Sequence, residues 1–169
     1  MPTEKRSIGL LSIEVGAIAG DGGMSTALAA LGVTYQDSCD LSQGEPEIIE
    51  IHSEENDEPE ELIAGKSVKT LKWSIMNVSP TALAATLGGT VTGTGATEAW
   101  EAPSATTLIE KSVRIKTKSG ETIDMPRCRI ISKLSWKFSK KDVNKIDITA
   151  YVLVPTKAAT APIKKYLTA

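Results

Sequence analysis

The chain has 169 residues, of which 41% are hydrophobic and 24% charged, with a formal net charge of −2. That length suits one domain, which at this size buries about 70% of its unfolded surface and needs no covalent staple. The near-neutral total conceals a split: residues 1–61 carry fourteen Asp/Glu against two Lys/Arg, and residues 62–169 carry seventeen Lys/Arg against seven Asp/Glu. Such asymmetry bears on partners rather than on fold, and an acidic part and a basic part on one molecule can steer it to copies of itself, head to tail. Cys39 and Cys128 stand far apart and in no metal-ligand spacing, so they read as small buried residues of a reducing compartment.

At the N-terminus, Lys5-Arg6 followed by Ile8–Ile13 imitates a secretory signal, but Glu14 and Gly16 break the apolar run. A first strand is expected there instead. No apolar run approaches the ~20 residues of a membrane helix, so the expectation is a protein made in a cytoplasm and without a membrane. Over 24–31, Met24, Leu28 and Leu31 share one face of a short helix. Residues 45–52 are expected to pair with a long strand over 66–78, with Ile49 and Ile51 inward and Leu71, Trp73 and Ile75 on one face. The segment between them is polar and strongly acidic, and Pro59 argues against a central strand. A long hairpin of this kind, about 45–78, is expected to extend past its own core as an arm.

The strongest helix signal follows. Ser79 suits an N-cap, Pro80 the first helical position and Gly88-Gly89 the stop, with Leu83 and Leu87 four apart on one face. Residues 88–97, rich in Gly and Thr, read as a flexible loop. Residues 107–118 alternate, with Val113 and Ile115 opposing Arg114 and Lys116, and Ser119-Gly120 turns the chain into the next strand. The clearest alternation lies at 127–138, where Cys128, Ile130, Leu134, Trp136 and Phe138 face the expected core, and Arg127, Arg129, Lys133 and Lys137 face away. Residues 143–154 repeat the pattern, and Ser139–Asp142 turns one strand back on the other. The last residues, 156–169, are weakly patterned and read as an arm or a loose tail. The fold class is therefore mainly β with one short helix (α+β): an antiparallel β-barrel or sandwich over 1–155, flanked by the helix and carrying a hairpin arm.

Motifs for chemistry are weak. Gly65-Lys66-Ser67 resembles the end of a phosphate loop, but Glu60 stands where that loop needs glycine, and Glu54 through Glu61 would repel a phosphate. Gly93-Thr-Gly95 lacks the third glycine of a dinucleotide fingerprint, since Glu98 is there. His52 is the sole histidine. It has no second His or Cys pair for a metal, and no Gly-x-Ser-x-Gly elbow to serve as a hydrolase base. The acids from Glu54 to Glu61 lack the calcium-loop spacing and its central glycine. No catalysis, cofactor or specific metal is expected. The Arg127–Lys137 row could neutralise phosphates, but core-facing Trp136 and Phe138 would leave it without a stacking platform for single strands.

The stretch Lys72-Trp73-Ser74-Ile75-Met76-Asn77-Val78, leading into Ser79-Pro80…Leu83-Ala84…Leu87-Gly88-Gly89, resembles the major tail tube proteins of tailed bacteriophages. Their relatives in contractile injection systems share the likeness. The order of elements is similar over roughly 8–154. The resemblance implies a barrel or sandwich flanked by a helix, in hexameric rings that stack into a tube through which DNA passes without specific binding. It implies copies of the chain, a tape-measure protein and other tail proteins as partners. It also implies assembly in a host bacterial cytoplasm and residence in the virion tail. The long hairpin, here 45–78 with its tip at 53–65, and the termini would make contacts between subunits. No motif assigns the lumen face.

The charge split gives this a physical form. Glu54, Glu55, Asp57, Glu58, Glu60 and Glu61 on one copy could meet Arg127, Arg129, Lys133 and Lys137 on the next. That contact is heterologous, and closes to rings or extends to filaments. Exposed pairs are each worth only ~0–1 kcal/mol, so charge would select partner and register while apolar burial and strand addition supply affinity. Acids facing the lumen would instead repel DNA, and the sequence leaves both placements open. A monomeric β-sandwich binding a glycan or cell-surface partner is the alternative, with Trp100 and Tyr35 as exposed platforms.

Overall fold

The computed structural model describes residues 6–76 and 78–168. Lys5 of the basic N-terminal pair, Asn77 of the expected 66–78 strand and Ala169 lie outside them. In chain order the elements are β1 (Leu10–Gly16), β2 (Val33–Thr34), β3 (Asp40–Gln43), β4 (Ile48–Ile51), β5 (Glu61–Ala64), β6 (Lys69–Met76), α1 (Pro80–Leu87), β7 (Thr90–Thr92), β8 (Ala99–Glu101), β9 (Ile109–Thr117), β10 (Glu121–Ser135), β11 (Lys145–Val152) and β12 (Lys164–Leu167). The protein is mainly β with one helix, as its alternation requires.

The main sheet is antiparallel and runs β1-β9-β10-β11-β6-β2, with β12 also on β10 and β3 also on β6. It curls into a nearly closed barrel. One segment bridges the gap between its end strands: Ala29 exchanges two backbone hydrogen bonds with Val15 of β1, and Val33–Thr34 pairs with β6. The inward residues are those the alternation marks. Leu71, Trp73 and Ile75 of β6, Val113 and Ile115 of β9, Cys128 and Ile130 of β10, and Ile146, Ile148 and Ala150 of β11 are buried in one cluster. The helix caps it from outside. Ser79 Oγ accepts from the Ala82 N–H at 3.2 Å, the Gly88 N–H closes on the Ala84 carbonyl, and Leu83 packs against the core.

Several expectations are corrected. Residues 24–31 are not helical: their backbone is engaged by β1, and Ser25 is buried with its N–H on Ser112 Oγ at 3.1 Å. These bonds give the backbone an alternative that a one-stripe helix cannot match. Residues 88–97 are no flexible loop. β7 and β8 form a small hairpin, and Trp100 Nε1 donates to the Gly88 carbonyl at 2.8 Å. Gly89 has φ +95°, and a Cβ there would lie 2.1 Å from the Glu101 carbonyl oxygen, so the hairpin closes only on glycine.

The pairing of the long hairpin also differs. β6 pairs with β3, while 48–51 pairs with 61–64. Pro46 lacks an N–H and interrupts the ladder, so only Gly44–Val68 and Gly65–Glu47 backbone bonds link the two halves. The C-terminal segment is not loose: β12 lies along β10, with Tyr166 Oη donating to Asp124 Oδ2 at 3.1 Å and Lys165 Nζ 3.0 Å from Glu121. Its anchors are polar, which is why apolar patterning did not disclose it.

Leu71 is fully buried, so Leu71→Ala is expected to cost about 2–5 kcal/mol. Ile49→Ala, at an exposed site, should stay within about 0.5 kcal/mol. Urea midpoints of the monomeric protein check both.

Candidate self-association surface

The ten residues expected to mediate self-association separate into groups with different fates. Glu54, Glu55, Asp57 and Glu58 lie on the exposed loop 52–60, and Glu60 and Glu61 lie where that loop enters β5. None of the six forms an ion pair among the described residues, and only Glu60 is held, accepting from Asn56 Nδ2 at 3.2 Å. His52 contacts Glu50, with Nε2 3.1 Å from Oε2, and is exposed. Among the described residues no three His, Cys, Asp or Glu side chains stand together as a metal site would require.

The arm that presents this loop is the more informative feature. In β4–β5, Ile49 faces Ile63 and neighbours Ile51, while Ile48 faces Ala64 and Leu62 faces Glu50 on the other side of the ribbon. Both faces therefore carry large aliphatic side chains, and all five are exposed; Ile48 and Leu62 reach 62% and 60%. Ile49 and Ile51 do not face inward as expected, because β4 and β5 pair only with each other and add nothing to the core. An isolated two-stranded ribbon is marginally stable at best in water.

The basic row behaves otherwise. Arg127 forms a two-pronged contact with Glu110, Nε to Oε2 at 2.9 Å and Nη2 to Oε1 at 3.1 Å, and Arg129 Nη2 reaches Oε1 at 2.8 Å. Glu110 sits on β9 directly opposite Arg129. Hydrogen bonds from Arg127, then from Arg129, hold the Glu110 carboxyl below its ordinary value of 4.5. These two arginines are thus engaged within the chain. Lys133 and Lys137 are far more exposed, with Nζ only at 3.9 Å from Asp147 and 3.6 Å from Asp142.

Beyond Ile130, β10 outruns the core. Leu134, Trp136 and Phe138 were expected to face inward, yet all three are exposed, Phe138 at 88%. Trp136 and Phe138 meet edge to face with ring centroids 6.5 Å apart. Trp136 also lines an open apolar cleft of about 720 Å³ with Val33, Met76, Leu83, Trp100 and Val143. Lys140 and Lys141, in the same turn, form no ion pair among the described residues. Alternation marked the correct face of β10 but gave no sign of where the core ends.

The two platforms of the binding-module alternative differ: Trp100 is half-buried and spends its N–H on Gly88, whereas Tyr35 is exposed, with Lys145 Nζ 4.0 Å from its ring centroid. Cys128 is buried, which pushes its thiol up to about 12 and leaves it inert as a nucleophile. No family model matches the chain, and no curated protein matches it.

Because the carboxyl of Glu110 is lowered, its contribution to stability is complete above its unfolded value and is lost as pH falls through the folded one. Glu110→Gln should lower stability at neutral pH by about 1 kcal/mol, the pairs being partly exposed. It should also flatten the loss of stability as pH falls below the ordinary value of 4.5 for this carboxyl. Urea midpoints against pH read both; parallel wild-type and variant profiles would contradict the role of the cluster.

Proposed function

We propose that this protein is a structural subunit that assembles with itself, in the manner of a phage tail tube, into stacked rings forming a conduit for DNA. The observation that carries the reading is the β4–β5 arm, which exposes aliphatic side chains on both faces. A ribbon apolar on one face needs one neighbour; a ribbon apolar on both needs to be enclosed. Stacked rings supply such an environment, since an arm that leaves its own ring meets more than one neighbour. A lone monomer does not supply it.

The surface area points the same way. The chain exposes 11367 Å², whereas a compact monomer of 17.9 kDa would expose about 8,000 Å². The surplus of roughly 3,000 Å² exceeds the ~800 Å² per partner that one stable interface buries. The seam of the barrel adds a further surface. Beside the outer edge of β1 lies an open slot of about 970 Å³, lined in part by Leu10, Ile13, Cys39, Leu41, Ile115 and Ile123. A neighbour's strand added there would extend the sheet from copy to copy. The tape-measure and other tail proteins, the virion tail location and passage of DNA without specific binding follow from this reading as parts of the same proposal.

The purified chain should form rings or tubes as its concentration rises, seen by sedimentation velocity and electron microscopy. Strictly monomeric behaviour under every condition, including with a tape-measure protein present, would overturn the reading. Replacing residues 48–64 by a short turn should abolish assembly. It should leave the urea midpoint nearly unchanged, because no residue of that segment belongs to the core.

A further inference from the structure

Two hairpins overshoot the core, and their surfaces are complementary. The β4–β5 arm is aliphatic and ends in an acidic loop that forms no ion pair among the described residues. The turn between β10 and β11 is aromatic and basic. Trp136 lines the apolar cleft, Phe138 beside it in the chain is exposed, and Lys133, Lys137, Lys140 and Lys141 lie along the same stretch. Asp142 is the one acid inside that turn, lying within 4 Å of both Lys137 and Lys145; Asp147, on β11, faces Lys133. The surroundings therefore stay net positive.

We infer that the β10–β11 turn, with the cleft beside it, is the docking site for the β4–β5 arm of a second copy. This rests on the self-assembly reading and names the receiving surface within it. One aliphatic face of the arm, Ile49, Ile51 and Ile63, covers Trp136, Phe138 and Val143. The acidic loop then falls among Lys137, Lys140 and Lys141. The sequence-based pairing with Arg127 and Arg129 is replaced, because Glu110 already holds both. A nucleic-acid strand is the competing occupant, since exposed aromatics among lysines also stack bases. The arm is favoured because most of the rest of the receiving surface is apolar, including Val33, Met76, Leu83 and Val143, and the same chain presents an uncovered aliphatic ribbon of opposite charge. The two rings are also turned edge to face against each other rather than set out as successive platforms.

The test is a charge exchange on the full-length chain. One variant carries Lys137→Glu, Lys140→Glu and Lys141→Glu; the other carries Glu54→Lys, Glu55→Lys, Asp57→Lys and Glu58→Lys, which leaves the loop net positive. Each alone should need at least tenfold higher concentration to assemble than the wild type, because acid meets acid or base meets base. Mixed in equal amounts they should assemble near the wild-type concentration, as each acidic arm meets a basic turn and each basic arm an acidic turn. Circular dichroism and the urea midpoint confirm that both variants fold, and rescue on mixing itself requires folded partners. A lysine-reversed variant that assembles within twofold of wild type overturns the docking site and leaves the tube reading standing. A wild-type chain that stays monomeric overturns both. Retention of a single-stranded DNA oligonucleotide that is lost in the lysine variant while assembly is unchanged assigns the turn to nucleic acid instead.

Discussion

The fold depends on one strand, β10. Its fifteen residues pair with β9 on one side, and with β12 and then β11 on the other. The register with β9 shifts between Met125 and Cys128, at Pro126, whose missing N–H cannot continue the ladder. Such a bulge bends a strand and sharpens its twist. Here it also moves the inward set from Met125 to Cys128 and Ile130. A straight strand of this length would lie across a flat sheet; the bent one lets a single sheet curl towards closure. Ser112 Oγ donates to the Pro126 carbonyl at 2.7 Å, so the acceptor freed at the bend is used. Ser112 Oγ also receives the N–H of Ser25, which ties the bridging segment at the barrel's gap to the same point.

The length of β10 has a second consequence. The core is complete by Ile130 and Ile146, but the β10–β11 ladder continues to the Ser135–Lys145 pair and the chain runs on to Phe138. The β4–β5 arm is the same phenomenon on the other side of the sheet: a hairpin longer than its core requires. On β10, alternation persists after the core has ended, so apolar residues keep their face and lose their cover; in the arm both faces are aliphatic and both are exposed. The hydrophobic effect makes each exposed side chain unfavourable, and edge strands that present such residues invite pairing with other chains. The acidic loop and the lysine-rich turn lie at the ends of these two hairpins, where, in the proposed assembly, like charges would repel wrong partners and opposite charges would select one.

What the sequence disclosed follows from the range of its signals. Period-2 alternation is local, and it correctly marked the inward faces of β6, β9, β10 and β11. The cap residues Ser79, Pro80 and Gly88 act within one turn, and α1 lies where they place it. Register and extent are not local. Nothing near Arg127 shows that Glu110, on the neighbouring strand, will hold it. Nothing in Trp136 or Phe138 shows that the facing layer has ended. The partner of 48–51 was missed because Glu61-Leu-Ile-Ala64 is only four residues long and follows an acidic run. β12 was missed because its anchors, Asp124 and Glu121, are polar and lie more than forty residues upstream.

The charge split takes on a different meaning once the pairs are placed. Several of the strong cations of the basic half are already matched: Arg114 to Asp124, Lys116 to Glu14, Arg127 and Arg129 to Glu110. The acids of loop 52–60 have no ion-pair counterpart among the described residues, and exposed lysines with only long ion-pair contacts, Lys133 and Lys137, lie at the opposite hairpin turn. The imbalance that matters is therefore local, between two loops, and not between two halves. Exposed ion pairs supply about 0–1 kcal/mol each and weaken with salt. They could not hold the proposed assembly, but they could align the apolar surfaces that would. If so, salt should act mainly on the choice of register and the rate of encounter, while truncating the exposed aliphatic and aromatic side chains should act on affinity.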